Sequence, residues 1–323
     1  MEPAQRLEPI DLLKIYGNIE FDWNLRTDQI DWLGPLNRLI SPEISLVTGS
    51  SYNNLLSPIN LVKRLQGIDK IHESVNHDYS CAYTLTLPNH EPAAVYEEGT
   101  LHMDHENNPL SLSGFIRFVD ANEVDLSLAP QGGYDAWTGF PSKEVLFENL
   151  ASFLEQSTQS KMPGAYLSLS VDCLTYISCR YGSEVALDIF KKVAEKLKSS
   201  IRFNDSIGRT SSCCLGIILQ DCDRWGIVRA SDRLSKTISD HPFNVEEGTL
   251  KVRISSGGLV FPDPSLTAEN VMHKTERYLF EAQAVSGSGI SWTPYGEGVK
   301  DLERPSDTTS RRHRRAVDSE FDT

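Results

Sequence analysis

The pattern of apolar and polar residues divides the chain into a strand-rich first part and a second part in which helices and strands alternate. Apolar and polar side chains alternate in residues 17–24 and again in 29–32, with turn-forming residues between them. This alternation predicts a β-hairpin with one buried face. The following segments read as helix 36–40, helix 61–71, strand 82–87, strand 94–103 and strand 112–119. We therefore expect an antiparallel sheet with small helices on one side.

The second part, from residue 135 onward, has a different periodicity. Residues 165–171 are mostly apolar, which is typical of a buried strand, and the segment 183–202 has the spacing of an amphipathic helix. Its apolar stripe consists of Ile189, Val193, Leu197 and Ile201. The other predicted elements are helix 143–157, hairpin 207–219, helix 224–239, strand 252–260 and helix 268–285. This order predicts an α/β architecture, in which helices flank a sheet.

The chain length of 323 residues fits two domains of ordinary size. We place the first domain at residues 11–120 and the second at 135–296. The linker between them, 121–134, contains Pro130 and two consecutive glycines, which disfavour one continuous helix across it. Residues 297–323 are polar and strongly basic in part, which predicts a flexible tail.

The net charge of −14 disfavours general binding to nucleic acid, because 45 acidic side chains outnumber 31 basic ones. A nucleotide ligand would need a local basic pocket. The longest apolar runs are much shorter than the roughly 20 residues of a membrane-spanning helix, and the first six residues lack the order of a signal peptide. We therefore expect a cytoplasmic protein without a membrane span.

Cysteine and histidine positions give weak signals for chemistry. The six cysteines form no CxxC pair, so neither a disulfide framework nor a zinc site is indicated. The adjacent Cys213 and Cys214 are candidates for a redox sensor, but ordinary packing is favoured because no His or Lys lies nearby in sequence to lower a thiol pKa. His102 and His105, with Asp104 between them, could suggest a metal site. They fall in a strand-turn region that offers no further ligand, which favours a solvated turn.

The first part resembles a PAS sensor domain over about a hundred residues. The resemblance is carried by the opening strand-turn-strand and by a spaced series of later residues that ends in the run from Gly114 to Asp120. That series also includes Tyr83, Leu85, Pro88-Asn89-His90, Gly99 and Asp104. The aromatic residues Trp23, Trp32 and Tyr83 could line a ligand pocket in such a domain, although core packing is the favoured interpretation.

The second part resembles a GGDEF domain, the diguanylate cyclase fold, through motifs that occur in the family's order. The segment 135–143 resembles the opening D-x-L-T-G-L-P-N-R, and Asp172 ends a strand where the family has its first metal-binding Asp. Tyr181-Gly182 stands for the Tyr-Gly that begins a family helix. Further matches are Arg202-x-x-Asp205 for R-x-x-D, Ser255-Ser256-Gly257 for S-x-G, and 275–283 for A-D-x-A-L-Y-x-A-K.

The same resemblance implies that the catalytic loop is degenerate. Ser211, Ser212, Cys213, Cys214 and Leu215 stand where the family has Gly-Gly-Asp/Glu-Glu-Phe. The cyclase reaction needs hard cations held by carboxylates and a glycine backbone that approaches triphosphate closely. Sulfur and hydroxyl groups are poor replacements. The family's second Asp, its Phe-Lys pair and its guanine-contacting Asn-Asp are also lost, and Gln283 replaces a phosphate-binding lysine.

The resemblance implies two remaining sites. Asp172 is the remaining candidate metal ligand, for Mg²⁺ if residual GTP binding exists. Arg202 and Asp205 match the family's product-inhibition site, so cyclic di-GMP is a candidate ligand there. The alternative interpretation of this pair is a surface ion pair and turn cap. Arg209, at the head of the predicted hairpin, is interpreted as structural.

These observations predict a bacterial signal-transduction protein of the cyclic di-GMP type, catalytically inactive and acting as a sensor and regulator. Its predicted partners are cyclic di-GMP and a signalling protein such as an EAL or GGDEF protein, or a second copy of the chain. The alternatives are a weakly active diguanylate cyclase and the regulatory half of an EAL phosphodiesterase. The basic tail resembles the helix that leads into an EAL domain in related proteins.

Overall fold

The computed structural model describes residues 18–34, 36, 46–74, 76–86, 92–119, 133–135, 137–245, 248–263, 265–284 and 290–293. Residues 37–40 of the predicted helix 36–40 lie outside this part. The same holds for residues 121–132 of the predicted linker and for all of the predicted tail 297–323.

The first unit is a five-stranded antiparallel sheet with helices inserted between its second and third strands. The strands are β1 (Ile19–Asn24), β2 (Ile30–Leu33), β3 (Asp78–Leu85), β4 (Ala93–Met103) and β5 (Pro109–Phe118). They lie in the order β2-β1-β5-β4-β3. Alternate residues of β1 are buried, as the sequence pattern predicts. The antiparallel sheet with small helices is therefore confirmed.

The helices of this unit begin at residues that cap them. α1 (Gly49–Asn53) has Thr48 as its N-cap, and Ser51 completes a capping box with it. α2 (Pro58–Asp69) has Ser57 as N-cap and Pro58 in its first turn, and continues as a 3₁₀ helix (Lys70–Glu73). α1 was not anticipated, because its sequence of small polar residues has no apolar stripe.

A buried ion pair lies in the interior of the first unit. Arg64 and Glu97 are 1% and 0% exposed, and two parallel hydrogen bonds of 2.8 Å join them. The hydroxyls of Tyr79 and Tyr83 also donate to Glu97, and the guanidinium lies 5.2 Å from the Trp23 ring centroid. Burial would raise the pKa of Glu97, but Arg64 and the two tyrosines lower it below its ordinary value.

The second unit contains a five-stranded mixed sheet. Its strands are β6 (Gly164–Val171), β7 (Ser206–Arg209), β8 (Cys214–Gln220), β11 (Ile254–Phe261) and β12 (Ile290–Thr293). Between β8 and β11 the chain forms a separate small hairpin of β9 (Phe243–Val245) and β10 (Gly248–Leu250). The sheet order is β12-β11-β6-β8-β7, and the pair β11–β12 is parallel. The predicted α/β layering is confirmed.

Five helices accompany this sheet in the described part of the chain: α3 (Lys143–Ser160), α4 (Leu174–Tyr181), α5 (Ser183–Ser200), α6 (Arg224–Ser239) and α7 (Ala268–Ala284). Three members of the predicted stripe of α5, Ile189, Val193 and Leu197, are buried. The fourth, Ile201, follows the end of the helix. α4 was missed from the sequence, because its serine, threonine, cysteine and tyrosine residues have weak helix propensity.

The two units pack closely against each other. α2 contacts α4 and α5, and one buried apolar cluster contains side chains of both units, such as Leu65 and Ile177. Asp69 at the end of α2 accepts hydrogen bonds from the Ser183 amide, both at 3.0 Å. The N-cap of α5 is Gly182, which has no side chain, so the first unit provides a carboxylate at the positive end of this helix.

No helix in the part of the chain that the structure describes combines the length and apolar character needed to cross a membrane.

We expect the Arg64→Ala substitution to destabilise the protein by about 3–5 kcal/mol, because it leaves the Glu97 carboxylate buried without its cation. Chemical denaturation monitored by circular dichroism measures this change. The control is Arg117→Ala, since Arg117 is exposed on β5 and lies over the Tyr96 ring; we expect less than about 0.5 kcal/mol for it. A loss below about 1 kcal/mol for Arg64→Ala would contradict the importance of this ion pair.

Candidate functional site

Arg209 fixes the hairpin between β7 and β8, whose tip carries Ser211, Ser212 and Cys213. Its guanidinium is buried, and Nη1 lies 3.2 Å from both carboxylate oxygens of Asp135. It also donates to the carbonyl oxygens of Ser211, at 3.1 Å, and Ser212. The guanidinium carbon is 4.5 Å from the Phe190 ring centroid. Arg209 therefore holds the tip in one conformation, in agreement with its interpretation as structural.

Asp135 links the opening motif of the second unit to this tip. Its Oδ1 accepts hydrogen bonds of 2.8 Å from the Thr138 amide and hydroxyl, which closes the turn that contains Gly139. Gly139 has φ +68°, a conformation that favours glycine. Burial would raise the pKa of Asp135, but Arg209 and Thr138 lower it below its ordinary value. The motif at 135–143 thus provides the counter-ion of Arg209.

The predicted loop residues lie at the junction with the first unit. The Ser212 amide donates to the Leu56 carbonyl at 2.9 Å, and the Ser212 hydroxyl donates to the Asn53 carbonyl. Ser212 and Cys213 are 0% and 1% exposed. Ser211 is half-buried, while Cys214 and Leu215 are buried in β8. The tip is therefore covered by protein instead of facing an open cleft.

The Cys213 and Cys214 thiols are also part of this packed region. Cys213 Sγ lies 2.7 Å from Asn54 Oδ1, and Cys214 is paired with Ser170 in the sheet. Burial raises the pKa of Cys214 well above its ordinary value, which disfavours the reactive thiolate. Burial would also raise the pKa of Cys213, but hydrogen bonds from Cys214, Ser212 and Ser170 lower it below its ordinary value. Both thiols are buried, and the lowered pKa distinguishes Cys213 from Cys214.

Asp172 lies at the end of β6, as predicted, beside a pocket of about 270 Å³. Its Oδ2 accepts from the Ser255 hydroxyl at 2.8 Å, and its Oδ1 accepts from Gln283 Nε2 at 3.2 Å. Burial raises the pKa of Asp172 to about 7. In the same pocket, burial raises the pKa of Asp28 to about 6. A partly protonated carboxyl bonded to two side chains is a weak ligand for a hard cation.

The residues around Asp172 offer little else for a metal ion. Arg26, Thr27, Cys173, Arg253, Ser255 and Gln283 complete the pocket lining. The described residues contain no cluster of three His, Cys, Asp or Glu side chains with the geometry of a metal site. The same finding covers His102, Asp104 and His105: Asp104 is paired with Arg26, and His102 contacts the Ser113 hydroxyl. His102 lies in β4, whereas Asp104 and His105 lie in the turn between β4 and β5.

Arg202 and Asp205 lie at the opposite end of the hairpin from its tip. Asp205 is buried, and its carboxylate accepts from the backbone amides of Arg202 (2.9 Å) and Gln220 (3.1 Å). This bonding pattern is the turn cap that the sequence offered as an alternative. Asp205 therefore joins the beginning of β7 to the end of β8.

The pair also borders a pocket of about 300 Å³ that sequence reasoning did not anticipate. Arg229 and Arg233 of α6 line it together with Arg202, Asp205, Asp221 and Asp223. Arg229 and Arg233 are four residues apart and therefore lie on one face of the helix. That spacing is visible in the sequence, but only the fold brings these two arginines close to Arg202. Three guanidinium groups and three carboxylates can recognise a ligand that carries both phosphates and N–H donors.

Comparison with known proteins identifies the second unit. Residues 133–287 match the family model for "Diguanylate cyclase, GGDEF domain". The uncharacterized protein YhcK of Bacillus subtilis (strain 168) is 22% identical over 193 residues, which cover 59% of this chain and 50% of YhcK. The response regulator PleD of Caulobacter vibrioides (strain NA1000 / CB15N) is 23% identical over 158 residues, which cover 48% of this chain and 35% of PleD.

The match therefore spans half the length of YhcK and about a third of PleD. Among solved structures, the GGDEF domain of DgcB from Caulobacter crescentus in complex with cyclic di-GMP aligns with a TM-score of 0.47 and 11% identity. The alignment covers 51% of this chain and 98% of that domain. On the evidence of the family model, residues 133–287 are a GGDEF domain.

We expect Asp172→Asn to gain stability relative to the unchanged protein as the pH rises. The pKa of Asp172 in the folded state, about 7, lies above the ordinary value of 3.8. The stabilisation that the protonated carboxyl gives to the folded state is therefore complete below about pH 4 and is lost as the pH rises through 7. The substituted side chain has no such dependence. Because Asp172 borders an open pocket, the relative gain between pH 5 and pH 8 should be only about 1–2 kcal/mol.

Denaturant unfolding at pH 5 and pH 8 measures this gain. Asp188→Asn is the control, since Asp188 is exposed and paired with Lys192 on α5. Equal pH dependence in the Asp172→Asn variant and the unchanged protein would contradict the raised pKa.

Proposed function

We propose that this protein is a bacterial, cytoplasmic regulator in cyclic di-GMP signalling whose GGDEF domain does not synthesise cyclic di-GMP. The observation that carries the proposal is the position of Ser212 and Cys213. Where the family has a glycine and an acidic residue, this chain has two buried side chains that are hydrogen-bonded to the first unit. The triphosphate would need the space that this protein contact fills.

The electrostatics of the site support the absence of catalysis. Phosphoryl chemistry of this kind depends on cations that neutralise the charge of the triphosphate, and several carboxylates are needed to hold them. Asp172 is the family carboxylate that remains, and its pKa of about 7 leaves it partly protonated at neutral pH. Gln283 replaces a lysine and adds no positive charge. Each lost contact of this type typically lowers rates by a factor of about 100–1000.

The pocket beside Arg202 supports binding of cyclic di-GMP as the regulatory activity. The ligand carries two phosphates, which suit the guanidinium groups of Arg202, Arg229 and Arg233. Its guanine N–H groups suit carboxylates such as that of Asp223, which also caps α6 through the Gly226 amide. Asp205 contributes less than predicted, because two backbone amides already occupy its carboxylate oxygens.

The first unit is proposed to be the PAS-like sensor that the sequence resembles. The order of its elements, two strands followed by helices and then three strands, supports this identity. The buried Arg64–Glu97 pair and its tyrosines occupy the space between sheet and helices. The proposed signal therefore acts at the surface of the unit, through a partner such as an EAL or GGDEF protein or a second copy of this chain.

We expect no cyclic di-GMP when the full chain is incubated with GTP and Mg²⁺, because the site lacks the carboxylates and the open loop that the reaction needs. Chromatography of the nucleotides measures the outcome, with an active diguanylate cyclase as positive control. A cyclic dinucleotide peak that disappears in the Asp172→Ala variant would establish the alternative, a weakly active cyclase.

We expect isothermal titration to detect binding of cyclic di-GMP, and Arg202→Ala or Arg233→Ala to weaken it at least about tenfold through the loss of a charge-assisted contact. Arg180→Ala, in α4 and outside the pocket, should leave the affinity unchanged. The absence of heat at high micromolar ligand would contradict the binding proposal, and so would unchanged affinity in both pocket variants.

A further inference from the structure

The Asn54 side chain of the first unit lies among GGDEF residues at the position of the catalytic loop. Its Oδ1 accepts hydrogen bonds from Cys213 Sγ at 2.7 Å and from the Ser170 hydroxyl at 3.2 Å. Its Nδ2 donates to Gln283 Oε1 at 3.2 Å. Gln283 in turn donates to Asp172. One amide side chain thus connects the loop, the central strand, α7 and, through Gln283, the former metal ligand.

We propose that the degenerate nucleotide site of this GGDEF domain has become a recognition site for a protein segment, and that its ligand is the turn Asn53–Leu56 of the same chain. The inference rests on the proposed absence of nucleotide chemistry at this site. It adds the identity of the occupant and assigns a role to the residues that replace the catalytic ones.

The replaced residues are chemically complementary to an amide. The thiol of Cys213 and the hydroxyl of Ser170 are donors that face the amide oxygen, and Gln283 presents an acceptor to the amide nitrogen. Together these three groups fix one of the two orientations of the Asn54 amide, because its oxygen and its nitrogen face different partners.

The backbone of the turn is recognised as well. The Ser212 amide and hydroxyl donate to the carbonyl oxygens of Leu56 and Asn53. A glycine at 212, as in the family motif, would have no hydroxyl for the second of these bonds. The Cys173 amide donates to the Ser50 hydroxyl at 3.1 Å on the other side of the site. The contact therefore combines side-chain and main-chain recognition.

The turn is held in its bound conformation by the first unit itself. Arg64 Nη1 donates to Asn53 Oδ1 at 2.9 Å, and Asn53 Nδ2 donates to Thr175 Oγ1 of α4 at 2.9 Å. The Thr48 capping box fixes the preceding helix. A Cβ at Gly49 would lie 1.8 Å from the Trp23 ring, so α1 packs tightly on the core. Because the turn is preorganised, little conformational entropy is lost when it binds.

Hydrogen exchange of the full chain, followed by mass spectrometry of peptides, tests the proposal. Asn54→Ala removes all three amide contacts and should increase the exchange rates of the amides at 211–214 about tenfold or more, since opening of the junction becomes easier. The region 143–160 of α3 lies away from the turn and should keep its protection, which shows that the domain remains folded. Asn60→Ala is the matched control, because Asn60 bonds to Ser57 at the start of α2.

Two further variants keep the test decisive. If Asn54→Ala unfolds the chain, Asn54→Asp retains the size and the acceptor but replaces the donor to Gln283, and it should give a smaller increase at 211–214. Gln283→Lys restores the family residue and should increase exchange at 49–56. Unchanged exchange in Asn54→Asp and Gln283→Lys, or an equal increase in Asn60→Ala, would overturn the inference. A cyclic dinucleotide product from GTP would refute the proposed function separately, without bearing on the exchange rates.

Discussion

The hydrogen bonds between the hairpin tip and the turn after α1 determine the arrangement of the rest of the molecule. Arg209, fixed by Asp135, holds the carbonyl groups of Ser211 and Ser212, so that the Ser212 amide points at the Leu56 carbonyl. These groups are buried, and a buried amide or carbonyl without a partner costs about 1–3 kcal/mol. Separation of the two units would leave several such groups without partners until water replaced them, and the junction is stable for this reason.

The same junction brings polar residues of both units into one connected network. Glu97 binds Arg64, Arg64 binds Asn53, and Asn53 binds Thr175 of the GGDEF domain. A change in the sheet of the first unit that displaced Glu97 would therefore alter the hydrogen bonds of α4 and of the hairpin tip. A network of this kind provides a physical connection between the first unit and the GGDEF domain that requires no continuous linking helix.

The loop at the hairpin tip, residues 211–215, takes part in these contacts. In a catalytic GGDEF domain, the loop must be free of side chains so that a triphosphate can approach, and carboxylates must hold cations nearby. Here Ser212 and Cys213 are donors to a neighbouring protein segment, and Gln283 accepts from it. Asp172 is a hydrogen-bond acceptor whose ionisation is opposed by burial and favoured by Arg253 of the same pocket. The residues at the family's loop positions thus provide the contacts between the hairpin tip and the first unit.

The sequence by itself determined most of the secondary structure, because strand alternation and helical stripes are local properties. It also identified the GGDEF domain and the strand that ends before Asp172, since these depend on residues close together in the chain. It did not reveal α4, whose helix propensity is weak and whose buried residues are stabilised by packing against α2 and α5. It also did not reveal Arg229 and Arg233 beside Arg202, or Asn54 among Ser170, Cys213 and Gln283. Partners separated by more than a hundred residues, such as Asn54 and Gln283, meet only when the two units dock, so tertiary packing alone decided that Asn54 lies beside Cys213 and Gln283.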